Sequence, residues 1–360
     1  MRIAAASVRR VRLEFRRPVR TARGVQSVRE TLLLTLTDAD GVTGYGEAAP
    51  WPGFGTESTG AAQTALEQAA AVLRGADLEP GGSDAAIDPM LRDRPAAQAA
   101  LQGALWDLAA RRDGVTLARR LARSVRGDGA MELGAVATHA LLLGDTPDEV
   151  RAAADAARIS GYRAVKLKLG FGTVDDDVAR AGAARDALGP GVRLRGDANG
   201  AWDPDRAIAA LGRLAPLGFE FVEQPLPADA LDALAVLRRR APVRIALDES
   251  VATDSDVARA IEAGAADVVV LKPAFLGGSM RALAIAERVR AAGAKVIYTH
   301  AMESAVGAHH ALHCAAADGD AMAIHGLSTS GLFVEDVAAP VDARHGIVDV
   351  PVGAGIGVSP

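Results

Sequence analysis

The sequence predicts an α/β protein: a modified (β/α)8 TIM-type barrel with an α+β capping domain. Three observations point there. From about residue 130, short apolar runs alternate with helical stretches, and eight such runs recur at intervals of roughly 25–30 residues, the rhythm of a barrel. Runs such as Ala266-Asp267-Val268-Val269-Val270-Leu271 are almost continuously apolar, as strands buried on both faces of a parallel sheet are. Before that point the pattern is different, with half-buried strands followed by amphipathic helices.

In chain order, residues 2–16 and 30–38 alternate apolar and polar side chains, and Asp38-Ala39-Asp40-Gly41 supplies a turn into a third strand ending near Tyr45-Gly46-Glu47. Trp51-Pro52-Gly53-Phe54-Gly55-Thr56 reads as a loop. Helical periodicity follows at 58–74 and at 96–112, where Ala97, Leu101, Ala104, Leu105 and Leu108 recur three and four apart. The expected barrel strands lie near 132–137, 163–168, 192–197, 219–223, 243–248, 267–272, 295–299 and 321–326. The division is therefore a cap over 1–125, a barrel over 126–332, and a tail over 333–360 of short strands and turns that returns to the cap.

Composition narrows the class. The net charge is -5 with signs mixed throughout, and no basic block exists, which argues against nucleic acid. One cysteine, Cys314, forbids an intramolecular disulfide and suits a reducing compartment. The N-terminal apolar run is too short for a signal peptide, and no stretch reaches the roughly 18 apolar residues of a membrane helix. A cytoplasmic protein without membrane partners is expected.

Only four of the 40 basic residues are lysines: Lys166, Lys168, Lys272 and Lys295. Arginine stays charged at working pH, whereas a lysine among other cations or in a dry site can lose its proton and act as a base. The first three lysines therefore mark positions where arginine would fail. They also stand at predicted strand ends. In order, those ends carry Lys166 and Lys168, then Asp197 with Asn199, then Glu223 in Glu223-Gln224-Pro225, then Asp248 and Glu249, then Lys272-Pro273. The C-terminal ends of barrel strands are where active sites are built.

Carboxylates from adjacent strands would repel one another without a counter-ion, so they are expected to share a divalent cation. An all-oxygen set that leaves room for water and substrate suits Mg²⁺, with Mn²⁺ as the usual substitute. A substrate carboxylate bound there could lose its α-proton to Lys168, whose pKa Lys166 would lower, and Lys272 would help hold the resulting enediolate.

The ladder Lys-x-Lys, Asp-x-Asn, Glu-Gln-Pro, Asp-Glu-Ser and Lys-Pro, preceded by Gly44-Tyr45-Gly46-Glu47-Ala48 and Ala104-Leu105-Trp106-Asp107-Leu108, resembles the muconate-lactonizing subgroup of the enolase superfamily. The resemblance implies a capped, modified barrel, Asp197, Glu223 and Asp248 as Mg²⁺ ligands, Lys168 as base and Lys272 opposite it. Homo-oligomers are common among such barrels. The partner implied is a small-molecule carboxylate substrate.

Within the subgroup, cycloisomerases, dipeptide epimerases, N-acylamino acid racemases and o-succinylbenzoate synthases share one scaffold. Glu303-Ser304-Ala305-Val306-Gly307 and His325-Gly326-Leu327-Ser328-Thr329 are similar to patterns of the o-succinylbenzoate synthases, dehydratases of the menaquinone pathway. Dipeptide epimerases are expected to carry an Asp-x-Asp pair after strand eight, and Ser328-Thr329-Ser330 does not supply one. Asn199, Glu303, Ser304 and Ser328, with Arg23 in the loop at 21–24 and Phe54, are the candidate substrate contacts. Ser304 also reads as a helix cap and Asn199 as a turn residue. His309 and His313, one turn apart, lack the intervening glutamate of a metalloprotease helix and read as packing. Cys314 reads as a small buried side chain, and Gly353-Ala354-Gly355-Ile356-Gly357 precedes no helix that could bind phosphate.

Overall fold

The computed structural model describes residues 1–21, 24–78, 88–328 and 330–360. The cap begins with three antiparallel strands in chain order, β1 (Ile3–Thr21), β2 (Gly24–Asp38) and β3 (Thr43–Ala48). Asp38 makes the turn between the last two, its Oδ1 accepting from the backbone of Asp40 at 3.0 Å and Val42 at 2.9 Å, while Gly41 takes φ 83°. β1 and β2 are longer than the alternation at 2–16 and 30–38 suggested, with a register break between Glu14 and Val19.

The helix Pro95–Arg112 lies directly on β3. A Cβ at Gly46 would sit 1.9 Å from the Ala100 carbonyl oxygen, and one at Gly44 would sit 2.4 Å from that of Ala104. The Gly-Tyr-Gly of the cap motif and the alanines of the helix are thus two sides of one close backbone approach. The helix Thr59–Leu73 covers the same sheet, burying Ala62, Ala65, Leu66, Ala69, Ala70 and Leu73.

The barrel strands are β4 (Ala135–Thr138), β5 (Ala140–Leu142), β6 (Ala164–Lys168), β7 (Arg193–Asp197), β8 (Phe219–Glu223), β9 (Ile245–Leu247), β10 (Val268–Leu271), β11 (Lys295–Tyr298) and β12 (Ile324–His325). Seven of them, β5 to β11, form one sheet in sequential order, and every neighbouring pair is parallel. Helices cross between successive strands. Several are announced by capping boxes at Thr146/Glu149, Thr173/Asp176 and Thr253/Asp256. Val268 to Leu271 are all buried, and each such side chain contributes about 1.5–3 kcal/mol over its exposed state.

The expectation of eight successive barrel strands needs correction at the seam. The run expected at 132–137 becomes β4, which leaves the main sheet to pair with β12 and, antiparallel, with β13 (Ile347–Asp349) of the tail. One residue later the chain enters the main sheet as β5. The strand expected at 321–326 shortens to two residues, and Gly326 closes the ring, its N–H donating to Tyr298 O at 2.8 Å. A side chain at 326 would collide with Thr299 Oγ1 and the His139 ring, so the seam narrows to a glycine. Past β12 the described chain forms only one short 3-10 turn before β13. The tail also reaches the cap: Phe333 stacks on Phe15 with centroids 5.0 Å apart, and Leu117 N donates to Gly355 O at 2.7 Å. Among the described residues, no helix is long and apolar enough to cross a membrane.

Candidate active site

Parallel pairing puts the charged strand ends side by side. Lys168 pairs in register with Asp197, and Asp197 with Glu223. Lys168 Nζ donates to Asp197 Oδ2 and to Asn199 Oδ1, both at 2.7 Å. Lys166 Nζ lies 3.1 Å from Asp197 Oδ2 and 3.0 Å from Glu223 Oε1. Across the barrel, Lys272 Nζ hydrogen-bonds Asp248 Oδ1. Asn199 Nδ2 donates to Glu249 Oε1 at 2.9 Å, so that carboxylate joins the cluster.

The backbone bends sharply where these groups emerge. Asn199 and Gln224, just past β7 and β8, have φ of 44° and 40°, in the left-handed region that non-glycine residues seldom occupy. Gln224 is held by its own side chain. Its Oε1 accepts from the backbone of Asp248 at 3.1 Å and Ser250 at 3.2 Å, and its Nε2 donates to Ser250 Oγ at 2.7 Å. The glutamine of Glu-Gln-Pro therefore fixes the neighbouring strand end that carries Asp248 and Glu249, a role the sequence reading left blank.

Electrostatics explains which charges persist. Burial alone would raise the Asp197 carboxyl, but Lys166 and Lys168 hold it below the usual carboxylate range. Burial pushes the Glu223 carboxyl up to about 8; Lys166 opposes this, while Asp197 and Asp248 add to it. Burial, with Asp248 and Asp197 nearby, likewise takes Glu249 to about 7. Lys166, the expected tuner of Lys168, lies between two carboxylates. Burial would lower its pKa, yet Asp197, Glu223 and Asp248 raise it, so it is a fixed cation between carboxylates. Lys272 is raised for the same reason, by Asp248 and Glu249 against burial.

Among the described residues, no three metal-ligating side chains converge on one point as they lie. The ammoniums of Lys166 and Lys272 contact the carboxylates instead. The donor set still fits a hard dication. It is all oxygen, it is buried, its members repel one another, and Glu249 Oε2 is a buried acceptor without a hydrogen-bond partner.

Beside Lys272, Phe54, Val251, Phe275 and Leu276 line a hollow together with Asp248 and Glu249. Phe54 stands with its ring 5.3 Å from Lys272 Nζ and 5.9 Å from the Phe275 ring. Other candidate contacts hydrogen-bond elsewhere. Ser304 is fully buried, its Oγ accepts from Val306 N at the start of the helix Ala305–Asp318, and it donates to Glu47 of the cap. Glu303 accepts from Ala301 N at 2.5 Å and lies 3.3 Å from His300 Nδ1. Ser328 Oγ donates to His139 O at 2.7 Å. Arg23 lies outside the described residues.

His309 and His313 pack in the buried helix: His309 Nε2 contacts Ala339 O at 3.1 Å, and His313 Nδ1 accepts from Ala118 N at 3.1 Å. Cys314 is fully buried. Gly355 is pressed against Asp107, whose Oδ1 lies 2.0 Å from where a Cβ would be, and Asp107 accepts from Ile356 N at 2.7 Å. That glycine segment is the joint between tail and cap.

Residues 3–121 match the mandelate racemase / muconate lactonizing enzyme N-terminal domain, and residues 149–360 match the enolase C-terminal domain-like family. The chain is 34% identical to the N-succinylamino acid racemase of Thermus thermophilus, covering 99% of this chain and 95% of that protein. It is 42% identical to the o-succinylbenzoate synthase of Thermobifida fusca over 54% of this chain and 62% of that protein, which is less than two thirds of the synthase. A dipeptide epimerase from Enterococcus faecalis V583, complexed with Mg and L-Leu-L-Tyr, superposes with a TM-score of 0.90 at 26% identity over the whole of both chains.

Proposed function

The chain belongs to the enolase superfamily, as an enzyme of its muconate-lactonizing subgroup, and on that premise we propose that it is a Mg²⁺-dependent dehydratase of the o-succinylbenzoate synthase type. Its substrate is a cyclohexadiene bearing a carboxylate and a hydroxyl. Asp197, Glu223 and Asp248 would hold the ion, which supplies Lewis-acid charge to the substrate carboxylate and so acidifies the α-proton. Mn²⁺ is expected to substitute.

Lys168 takes that proton. It is the less enclosed of the paired lysines, with its side chain 33% exposed against 12% for Lys166, and Asn199 and Asp197 aim its ammonium. The electron pair released from the C–H bond moves through the carboxylate-stabilised enediolate to expel hydroxide. The ring becomes aromatic, and the proton on Lys168 balances the departing hydroxide, giving water. Lys166 stays charged and compensates Asp197 and Glu223. Lys272 faces the substrate from the opposite side as a cation over the ring.

The observation that carries the lyase reading is the wall beside Lys272. Phe54, Val251, Phe275 and Leu276 suit a flat apolar ring, and Ser328-Thr329-Ser330 after strand eight supplies no Asp-x-Asp pair to hold a substrate ammonium. A second reading, N-succinylamino acid racemase, is favoured by the full-length similarity to such an enzyme and by lysines on both sides of the carboxylates, which could serve as two bases. The two separate by assay: ultraviolet-monitored aromatisation of the hydroxycyclohexadiene dicarboxylate against racemisation of N-succinylamino acids in D₂O. Strong turnover in the second alone overturns the lyase reading.

A further inference from the structure

Arg29 projects from β2, the middle strand of the cap sheet, and is 8% exposed. Its Nη1 donates to Pro50 O at 2.7 Å and its Nη2 to Ala49 O at 2.6 Å. Its Cζ lies 4.8 Å from the centre of the Trp51 ring. One guanidinium thus holds two successive carbonyls just past the end of β3 and the face of the next side chain. Trp51 meets Phe54 edge-on, with centroids 5.3 Å apart and planes at 80°, and Phe54 is the ring over Lys272.

Within the turn that carries Phe54, Trp51 N donates to Thr56 Oγ1 at 2.5 Å and Phe54 N to Trp51 O at 2.7 Å, and the Phe54 ring also meets Phe275. The short 3-10 helix Pro52–Phe54 buries none of its residues, so it gains little from apolar burial. The charge that grips it is anchored from behind. Burial lowers the Arg29 pKa, and the buried carboxylates of Glu303 and Glu47 oppose that shift. Glu47 in turn accepts from Ser304 N at 2.9 Å and Gly307 N at 2.8 Å, at the start of the barrel helix Ala305–Asp318. The two buried glutamates act on Arg29 through their charge, and from Arg29 direct contacts run to Trp51, then to Phe54 and to Lys272.

We propose that Arg29 is a positioning residue for the substrate pocket: it locks the turn at 49–54 onto the cap sheet so that Phe54 stands over Lys272 and sets the pocket's width there. This rests on the reading that Lys272 faces the substrate. Arginine is required because only a planar fork can donate to two carbonyls while lying against an indole. Lysine keeps the charge opposite Glu47 and Glu303 but cannot do both.

The test compares Arg29→Lys, Trp51→Leu and the double variant with wild type, first confirming that each melts within a few degrees of it. With the hydroxycyclohexadiene dicarboxylate or an N-succinylamino acid, whichever the wild type turns over, each single change is expected to lower kcat/KM about tenfold, mainly through KM. The double variant is expected to lose no more than about twofold beyond the worse single, because both act through one contact. Losses that multiply to about a hundredfold overturn the proposal. A second arm needs no turnover. The emission attributable to Trp51, taken as wild type minus Trp51→Leu, is expected to shift in Arg29→Lys, and an unchanged Trp51 emission overturns the proposal even in an active enzyme. If the wild type acts on neither substrate, the function proposed above fails, and the emission alone then decides the role of Arg29.

Discussion

Lys168 donates to Asn199 across adjacent strand ends, 2.7 Å from Nζ to Oδ1, and the same amide donates onward to Glu249. Asn199 accepts from the proposed base with one end and ties itself to the far side of the cluster with the other. Its backbone at φ 44° is what allows this reach. Replacing it with alanine removes a hydrogen bond to a charged group, worth about 1.5–3 kcal/mol. Asn199→Ala is therefore expected to lower kcat roughly 10- to 100-fold with little change in melting temperature. Steady-state kinetics beside a thermal melt checks this.

Chelation is expected to abolish turnover and leave the fold intact. Activity should return with Mg²⁺ and with Mn²⁺. Glu223→Gln should weaken Mg²⁺ binding measured by calorimetry, a readout that does not depend on turnover.

Cap and barrel are joined at Glu47, whose buried carboxylate accepts from Ser304 N, Ser304 Oγ and Gly307 N. Glu47→Ala strands three buried donors, and at about 1 kcal/mol or more for each the loss should be near 3 kcal/mol. Ser304→Ala removes one partner and should cost about 1 kcal/mol. Urea unfolding of the two variants should reproduce that order.

Acid is expected to destabilise the protein through its buried histidines. Burial takes His310 down to about 4 and His313 to about 3, with a bond from His310 to Tyr45 O opposing the shift. The unfolded chain binds protons near the ordinary histidine pKa of 6.5 while the folded chain does not. Stability present above that pKa is therefore lost as pH falls toward 4, with a slope of about 1.4 kcal/mol per pH unit for each proton. His310→Gln, which can still donate to Tyr45 O, should flatten the slope by up to about one proton. Melting temperature against pH for both proteins measures it.

How much of this was legible in the sequence depends on range. Strand periodicity and the scarcity of lysine place Lys166, Lys168, Asp197, Glu223, Asp248 and Lys272 at successive strand ends, and parallel register then brings them together. Gly44 and Gly46 could be read as a motif, but not as the track for a helix backbone. The bond of Ser304 to Glu47 spans 257 residues, and nothing local distinguishes a serine that caps and docks from one that touches substrate. The same holds for Arg29, one arginine among many until its two carbonyls are seen. The ion pairs of Lys166 needed coordinates too: spacing predicts a neighbour for Lys168, and only geometry shows it occupied by two carboxylates.

The central claim is that Lys168 removes a proton next to a carboxylate and that water then leaves. It is tested most directly by the ultraviolet absorbance of the hydroxycyclohexadiene dicarboxylate with Mg²⁺, using wild type and Lys168→Arg. Metal-dependent aromatisation by the wild type, reduced at least about a thousandfold in a folded Lys168→Arg, is the predicted result. Full activity in that variant, or no aromatisation by the wild type, would contradict it.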